Sequence, residues 1–213
     1  MSIIRLAKEV SKERGMLILG QPSSGKTRLA IKKVGEQKPL WISFTNMNGL
    51  DVKVAEDWDV AQPSSWDEFN NQIVTPMSQG KFNDYDVVVI DGLHILSQLC
   101  LHYVASKRSG ESEIPVVIQG DYLNMGKLVQ GALVKLRGSA GQIVVICDVV
   151  PDEAGNDQVA LNRDLFNRIV GLFADKLFTY TTPEQIKHKN TGVILYEVET
   201  TGASAIRLMP KAK

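Results

Sequence analysis

The chain alternates short apolar, β-branched runs with stretches of helical period. The runs "MLILG" (16–20), "PLWISF" (39–44), "DVVVID" (86–91), "QIVVICDVV" (142–150) and "DKLFTY" (175–180) are each bounded by turn residues. Near-continuous apolar strands separated by helices are the pattern of a parallel sheet covered on both faces, so the predicted class is α/β. Helices are predicted over "GKTRLAIKKV" and over "SWDEFNNQIVTPM", where Trp66, Phe69, Ile73 and Met77 form one stripe and Ser65 and Glu68 are spaced as a capping box. A third is predicted from near Asp121, with Tyr122, Met125, Val129, Leu133 and Leu136 on one face until Gly138 ends it. These stripes read as core packing. After about residue 171, "DKLFTY", "GVILYEVET" and "SAIRLM" alternate apolar and polar positions with no helix between them, which predicts antiparallel strands closing one edge of the sheet. The polar segments 106–113 and 150–158 read as mobile loops, and "IPVVI" (114–118) as either loop or short strand.

The N-terminal "MSIIRLAKEVSKERG" has its charges spread through it and reads as a short amphipathic helix rather than a leader. The expected organisation is therefore a helix over 1–15 and one core domain over 16–213, a size that suits a single domain. Composition then narrows the partners. Lys plus Arg and Asp plus Glu are both 24, so no general pull toward nucleic acid or anionic membrane exists, and any polyanion contact needs a local patch. No run approaches the ~18 apolar residues of a membrane span. Cys100 and Cys147 read as small buried thiols in a reducing compartment, and the expected setting is cytoplasmic with no membrane contact. His94, His102 and His188 lack companions at zinc-ligand spacing, and His94 reads as a surface or packing residue.

Chemistry enters at "GQPSSGKT", which fits G-x-x-x-x-G-K-[ST] with Gly20, Gly25, Lys26 and Thr27, between an apolar strand and a helix. Glycines let successive backbone N–H groups converge into an anion nest, and the following helix adds its positive N-terminal end. The expected nucleotide-binding residues are Gly20, Gln21, Pro22, Ser23, Ser24, Gly25, Lys26, Thr27 and Arg28. Lys26 supplies a mobile charge for the outer phosphates, and the Thr27 hydroxyl can ligate Mg²⁺. A P-loop ATPase also needs a carboxylate at the end of a neighbouring buried strand to hold the magnesium shell, and "DVVVIDG" offers Asp91. The expected cofactors are ATP and Mg²⁺, with Thr27 and Asp91 as the metal residues.

In order and at similar spacing, "GQPSSGKT", "PLWISFTNMNGLD", "AQPSSWDEF", "DVVVIDGLHIL", "GDYLNMGKLVQGALVKLRGSAGQIVVICDVV" and "LFADKLFTY" resemble the nucleotide core of the RecA recombinases. The resemblance covers roughly residues 16 to 208 and is stronger still to compact RecA-core ATPases encoded by bacteriophages and associated with single-strand annealing and recombination. It implies a RecA-like fold, ATP hydrolysis, and assembly into a ring or filament in which one subunit completes another's site. Phage recombination or replication proteins are the implied partners, in the host cytoplasm.

Three departures bear on catalysis. Where the family has a water-polarising glutamate just after the second strand, "SFTNMNGLD" offers Asn46 and Asn48, with Asp51 the nearest acid; slow hydrolysis and substitution by Asp51 both stay open. Asp148 falls where the family has a polar sensor at the end of the fourth core strand, and is either a strand-end acid or a group facing the γ-phosphate and its water. The expected catalytic set is thus Lys26, Asp91, Asp148 and Asn46. The late "ETTGASAIR" lacks the family's paired interface lysines, leaving Arg207, Lys211 or Lys213 as sources of a trans charge, with Lys211 and Lys213 also reading as a solvated tail. In that family the loops after the third and fourth strands line the DNA path. Here the first holds Lys107 and Arg108 beside Glu111 and Glu113, and the second holds Asp152, Glu153 and Asp157 against Arg163, so single-stranded DNA binding is expected to be weak and salt-sensitive. A non-enzymatic nucleotide-binding module is the alternative.

Overall fold

The structure is a computed structural model that describes residues 15–45, 58–82, 84–110, 115–153, 155 and 157–179 in full, and by their backbone Tyr180 and three later strands. The helix expected over 1–15 lies outside the described residues, except that Gly15 already belongs to the first strand. The strands are β1 (Gly15–Gly20), β2 (Pro39–Ser43), β3 (Asp59–Ala61), β4 (Val87–Asp91), β5 (Gln142–Pro151), β6 (Asp157–Val159), β7 (Phe173–Tyr180), β8 (Gly192–Ile194), β9 (Tyr196–Thr201) and β10 (Ala205–Pro210). Helix α1 spans Lys26–Val34. Helix α2 runs through α-helical Trp66–Phe69, π-helical Asn70–Val74 and α-helical Thr75–Ser78. Helices α3 (Leu93–Ser109), α4 (Gln119–Ala140) and α5 (Arg163–Ile169) follow.

The mainly parallel α/β architecture predicted from the sequence is the one observed. The sheet order is β3-β2-β4-β5-β1-β7-β8, parallel throughout except that β8 joins β7 antiparallel. Successive side chains of a strand point to opposite faces, and the apolar runs use both. Leu17, Leu19, Val88, Ile90, Ile143, Val145 and Cys147 pack against α2 to α5 on one face. Met16, Ile18, Val87, Val89, Val144 and Ile146 meet Leu29, Ala30 and Val34 of α1, with Trp41 and Trp58, on the other.

Several expectations need correction. Helix α4 runs through Gly138 to Ala140, and Tyr122 is 37% exposed and off the buried stripe formed by Met125, Val129, Leu133 and Leu136. The Ser65 hydroxyl caps α2 by accepting from Glu68 N at 3.1 Å, but the Glu68 carboxylate accepts from Ser64 N and Oγ, so the reciprocal half of the capping box is absent. Ser106–Ser109 are the last turn of α3, not a loop. Within segment 150–158, expected as a loop, Val150 and Pro151 pair as β5 with Gln158 and Asp157 of β6. Only β8 extends the sheet edge; β9 and β10 join β6 in an antiparallel extension from the far end of β5. A periodic pattern reports that strands exist, while pairing partners depend on contacts remote in sequence, which is why these were missed.

Candidate nucleotide site

Register assembles the site. Ligands of open α/β sheets sit beyond the carboxyl ends of the strands, and here Gly20 lies level with Asp148 while Asp91 lies level with Ile146. Asp91 is therefore not on the strand next to the loop, as the sequence suggested. Strand β5 intervenes and carries Asp148 between them.

The loop connects β1 to α1. Ser23 and Gly25 both take positive φ, 62° and 89°, turning the backbone twice within three residues. A Cβ on Gly20 would fall 2.6 Å from the Thr179 carbonyl oxygen and 2.5 Å from Ser24 Oγ, so only glycine fits there. Ser24 is fully buried and shares a 2.5 Å hydrogen bond with the Thr179 hydroxyl of β7. Helix α1 starts with Gly25 as its N-cap, has no side-chain cap and no acid in its first turn, and so leaves its N-terminal N–H groups available to an anion.

Lys26 is only 9% exposed and points back over the loop, donating to the Gln21 carbonyl at 2.7 Å. Its Nζ also lies 2.7 Å from Asp148 Oδ1. Thr27 Oγ1 donates to Asp91 Oδ2 at 3.3 Å. Asp91 is buried, which pushes its carboxyl up to about 6; the Thr27 hydroxyl and Lys26 pull the other way, and Asp148 adds a like charge. Gly92 follows with φ 98°, and Asp91 O accepts from Phe44 N at 2.8 Å, which ties the ends of β2 and β4 together.

Of the remaining expected residues, Gln21, Pro22, Ser23 and Arg28 are exposed. The Gln21 side chain reaches Asp157 Oδ1 of β6 at 3.1 Å. Asn46, with Asn48 and Asp51, lies outside the described residues, as do Glu111, Glu113, Lys211, Lys213 and the side chain of Arg207. Sequence reasoning missed Thr179 and Asp157, which no motif marks. His94, read as a surface or packing residue, lies beside the site, with Nε2 3.5 Å from Asp148 Oδ2. Its position in the first turn after Asp91 was the available clue.

Expected DNA contacts are altered too. Arg108 donates to both Asp121 oxygens at 3.0–3.3 Å and to the Val116 carbonyl, so its guanidinium is engaged internally. Lys107 lies 5.5 Å over the Tyr103 ring. Trp41 and Trp66 are buried, and Trp58 stacks on Trp41 at 5.7 Å. Both cysteines are free and buried, and burial pushes the Cys100 thiol up to about 12.

The donors present fit magnesium. Thr27 and Asp91 supply a hydroxyl and a carboxylate, whereas no group of three or more His, Cys, Asp or Glu able to hold a metal occurs among the described residues. Mg²⁺ is commonly held by one or two protein oxygens together with substrate phosphates and water, unlike zinc or calcium, which need fuller protein cages. An apolar cavity of about 330 Å³ between Leu40, Ala61, Ile73 and Tyr85 lies away from these groups and offers no cationic group for a phosphate. Among the described residues, no helix is long and apolar enough to cross a membrane.

No curated protein matches the chain. Among solved structures, the crystal structure of the RadB recombinase is similar, at 15% sequence identity over 80% of this chain and 76% of that one, with a TM-score of 0.49. The model of the AAA domain family matches residues 12–171, a span holding the loop, Asp91 and Asp148. With most of the chain matched and a P-loop in the required strand–helix setting, this is a nucleotide-binding protein that belongs to the AAA domain family.

Proposed function

We propose that the chain is a RecA-core nucleoside triphosphatase that binds ATP with Mg²⁺, hydrolyses it, and serves phage-type DNA recombination or single-strand annealing. The observation that carries the nucleotide reading is the convergence of Lys26, Thr27 and Asp91 at the start of α1, with Thr27 Oγ1 and Asp91 Oδ2 3.3 Å apart. In this reading, backbone N–H groups around Ser23–Ser24 and at the start of α1, with the Lys26 ammonium, hold the outer phosphates, and Arg28 reaches them from the exposed side of α1. Thr27 and Asp91 hold the metal. Bound Mg²⁺ neutralises charge building on the phosphate oxygens. Asp148 accepts the proton of the attacking water and Asn46 orients that water. The recombination role rests on the order of motifs shared with RecA cores. Assembly into a ring or filament would cover the exposed apolar run Val116, Val117, Ile118 and Leu123.

The test is ATP turnover by the purified protein, with and without single-stranded DNA, at two salt concentrations. Turnover that needs Mg²⁺ and rises with DNA supports the proposal; tight binding without turnover favours a second reading, in which nucleotide occupancy controls assembly or partner binding. That alternative draws support from Asp148, the described acid nearest the loop lysine, being paired with Lys26 itself. If the amide at position 46 limits hydrolysis, Asn46→Glu raises the rate.

A further inference from the structure

We propose that Asp148 exchanges partners when a triphosphate binds, leaving the Lys26 ammonium for the imidazole of His94, and that His94 is thereby the positioning residue for this strand-end carboxylate. The inference rests on the reading of the loop as a triphosphate site.

Lys26 is already engaged, with Asp148 Oδ1 and the Gln21 carbonyl each 2.7 Å from Nζ. A P-loop lysine serves the outer phosphates, so triphosphate entry competes with Asp148 for the same ammonium. Once the ammonium turns to the phosphates, the carboxylate faces a polyanion without its cation. Charges left unpaired in a partly buried site are costly, and a second partner has to take the carboxylate.

His94 is placed to do so. Its Nε2 is 3.5 Å from Asp148 Oδ2, too far for a formed hydrogen bond and close enough for a small rotation to make one. The other ring nitrogen, Nδ1, is sealed from solvent with no hydrogen-bond partner. With Nδ1 turned into the interior, the Nε2 edge is the one that faces a partner. Among the described residues, the charged groups acting on the ring are Asp148 of β5 and Lys26 of α1, and the Cys147 thiol contacts the His94 backbone. Burial holds the imidazole below its ordinary value, Asp148 opposes this and Lys26 adds to it. A neutral ring protonated at Nε2 can donate to Asp148 without taking up a proton. The frame is fixed on both sides: Ser97 Oγ donates to the His94 carbonyl at 2.7 Å, and the Asp148 carbonyl accepts from Ala160 N at 2.8 Å, so side-chain rotation suffices.

The experiment is a double-mutant cycle read by calorimetric binding of a non-hydrolysable ATP analogue with Mg²⁺. Asp148→Asn is expected to bind about tenfold more tightly than the parent, because the competitor for Lys26 loses its charge. His94→Leu is expected to bind about tenfold more weakly, within the coupling range of residues in contact. His94→Gln, whose amide keeps a donor at similar reach, stays within about twofold of the parent. In the Asp148→Asn background, His94→Leu changes nothing. Should His94→Leu fail to fold, His94→Asn, too short to reach Oδ2, replaces it with the same expectation. An unchanged affinity in His94→Leu, or an equal loss in both backgrounds, overturns the partner exchange while the nucleotide site stands. A parent that binds no analogue overturns both.

Discussion

At Asp91, burial of the residue proposed to hold magnesium also disfavours its charged carboxylate. Its folded-state value of about 6 lies above the 3.8 of an exposed aspartate. The folded, nucleotide-free and metal-free protein thus holds a proton that the unfolded chain releases, and stability falls as pH rises from about 4 to about 6, then levels. Asp91→Asn removes that dependence and is expected to be more stable than the parent at pH 7 by about 1–3 kcal/mol, while losing magnesium-dependent nucleotide affinity. Denaturant melts at pH 5 and pH 7.5 check this; equal pH dependence in both proteins contradicts it. The residues of the motif itself were legible because each specified type has a separable chemical reason. His94 was not, because a lone histidine without ligand spacing carries no such reason until its neighbours are known.

At the scale of elements, the site exists because β1 and β5 are in register, Gly20 against Asp148, and because β7 presses on the loop from the other side through Thr179. Gly20 is the contact point. Gly20→Ala forces a methyl against the Thr179 carbonyl oxygen at 2.6 Å, backbone that has nowhere to go. We expect a loss of about 1–3 kcal/mol together with weakened nucleotide binding, read by thermal unfolding and calorimetry; an unchanged melting temperature contradicts the clamp. Apolar runs and helical stripes announced β1, β2, β4, β5, β7 and the helices α1, α2 and α4. Helix α3 escaped because its apolar positions Leu93, Leu96, Cys100 and Val104 continue directly from the turn after β4, with only Gly92 as punctuation. The β5–β6 hairpin escaped because "PDEAGND" has the composition of a loop, and its pairing with β10 depends on residues some fifty positions later.

For the whole molecule, 24 basic and 24 acidic residues leave no long-range attraction to a polyanion. With Arg108 tied to Asp121, the segment expected to face DNA offers fewer cations than its sequence suggests. Single-stranded DNA binding by the isolated chain should therefore be weak and should fall steeply with salt, with a log–log slope near −0.7 per phosphate contacted and few such contacts. Fluorescence anisotropy over a salt series measures it; tight binding that resists salt contradicts it. The central claim is more local, that the loop captures a triphosphate through Lys26 with its magnesium at Thr27 and Asp91. Calorimetric titration of ATP with and without Mg²⁺ into the parent and Lys26→Ala tests it most directly. The account predicts magnesium-dependent binding by the parent and an affinity lower by about 100-fold in Lys26→Ala. A parent that takes up no ATP, or a Lys26→Ala variant that binds it equally well, contradicts the account.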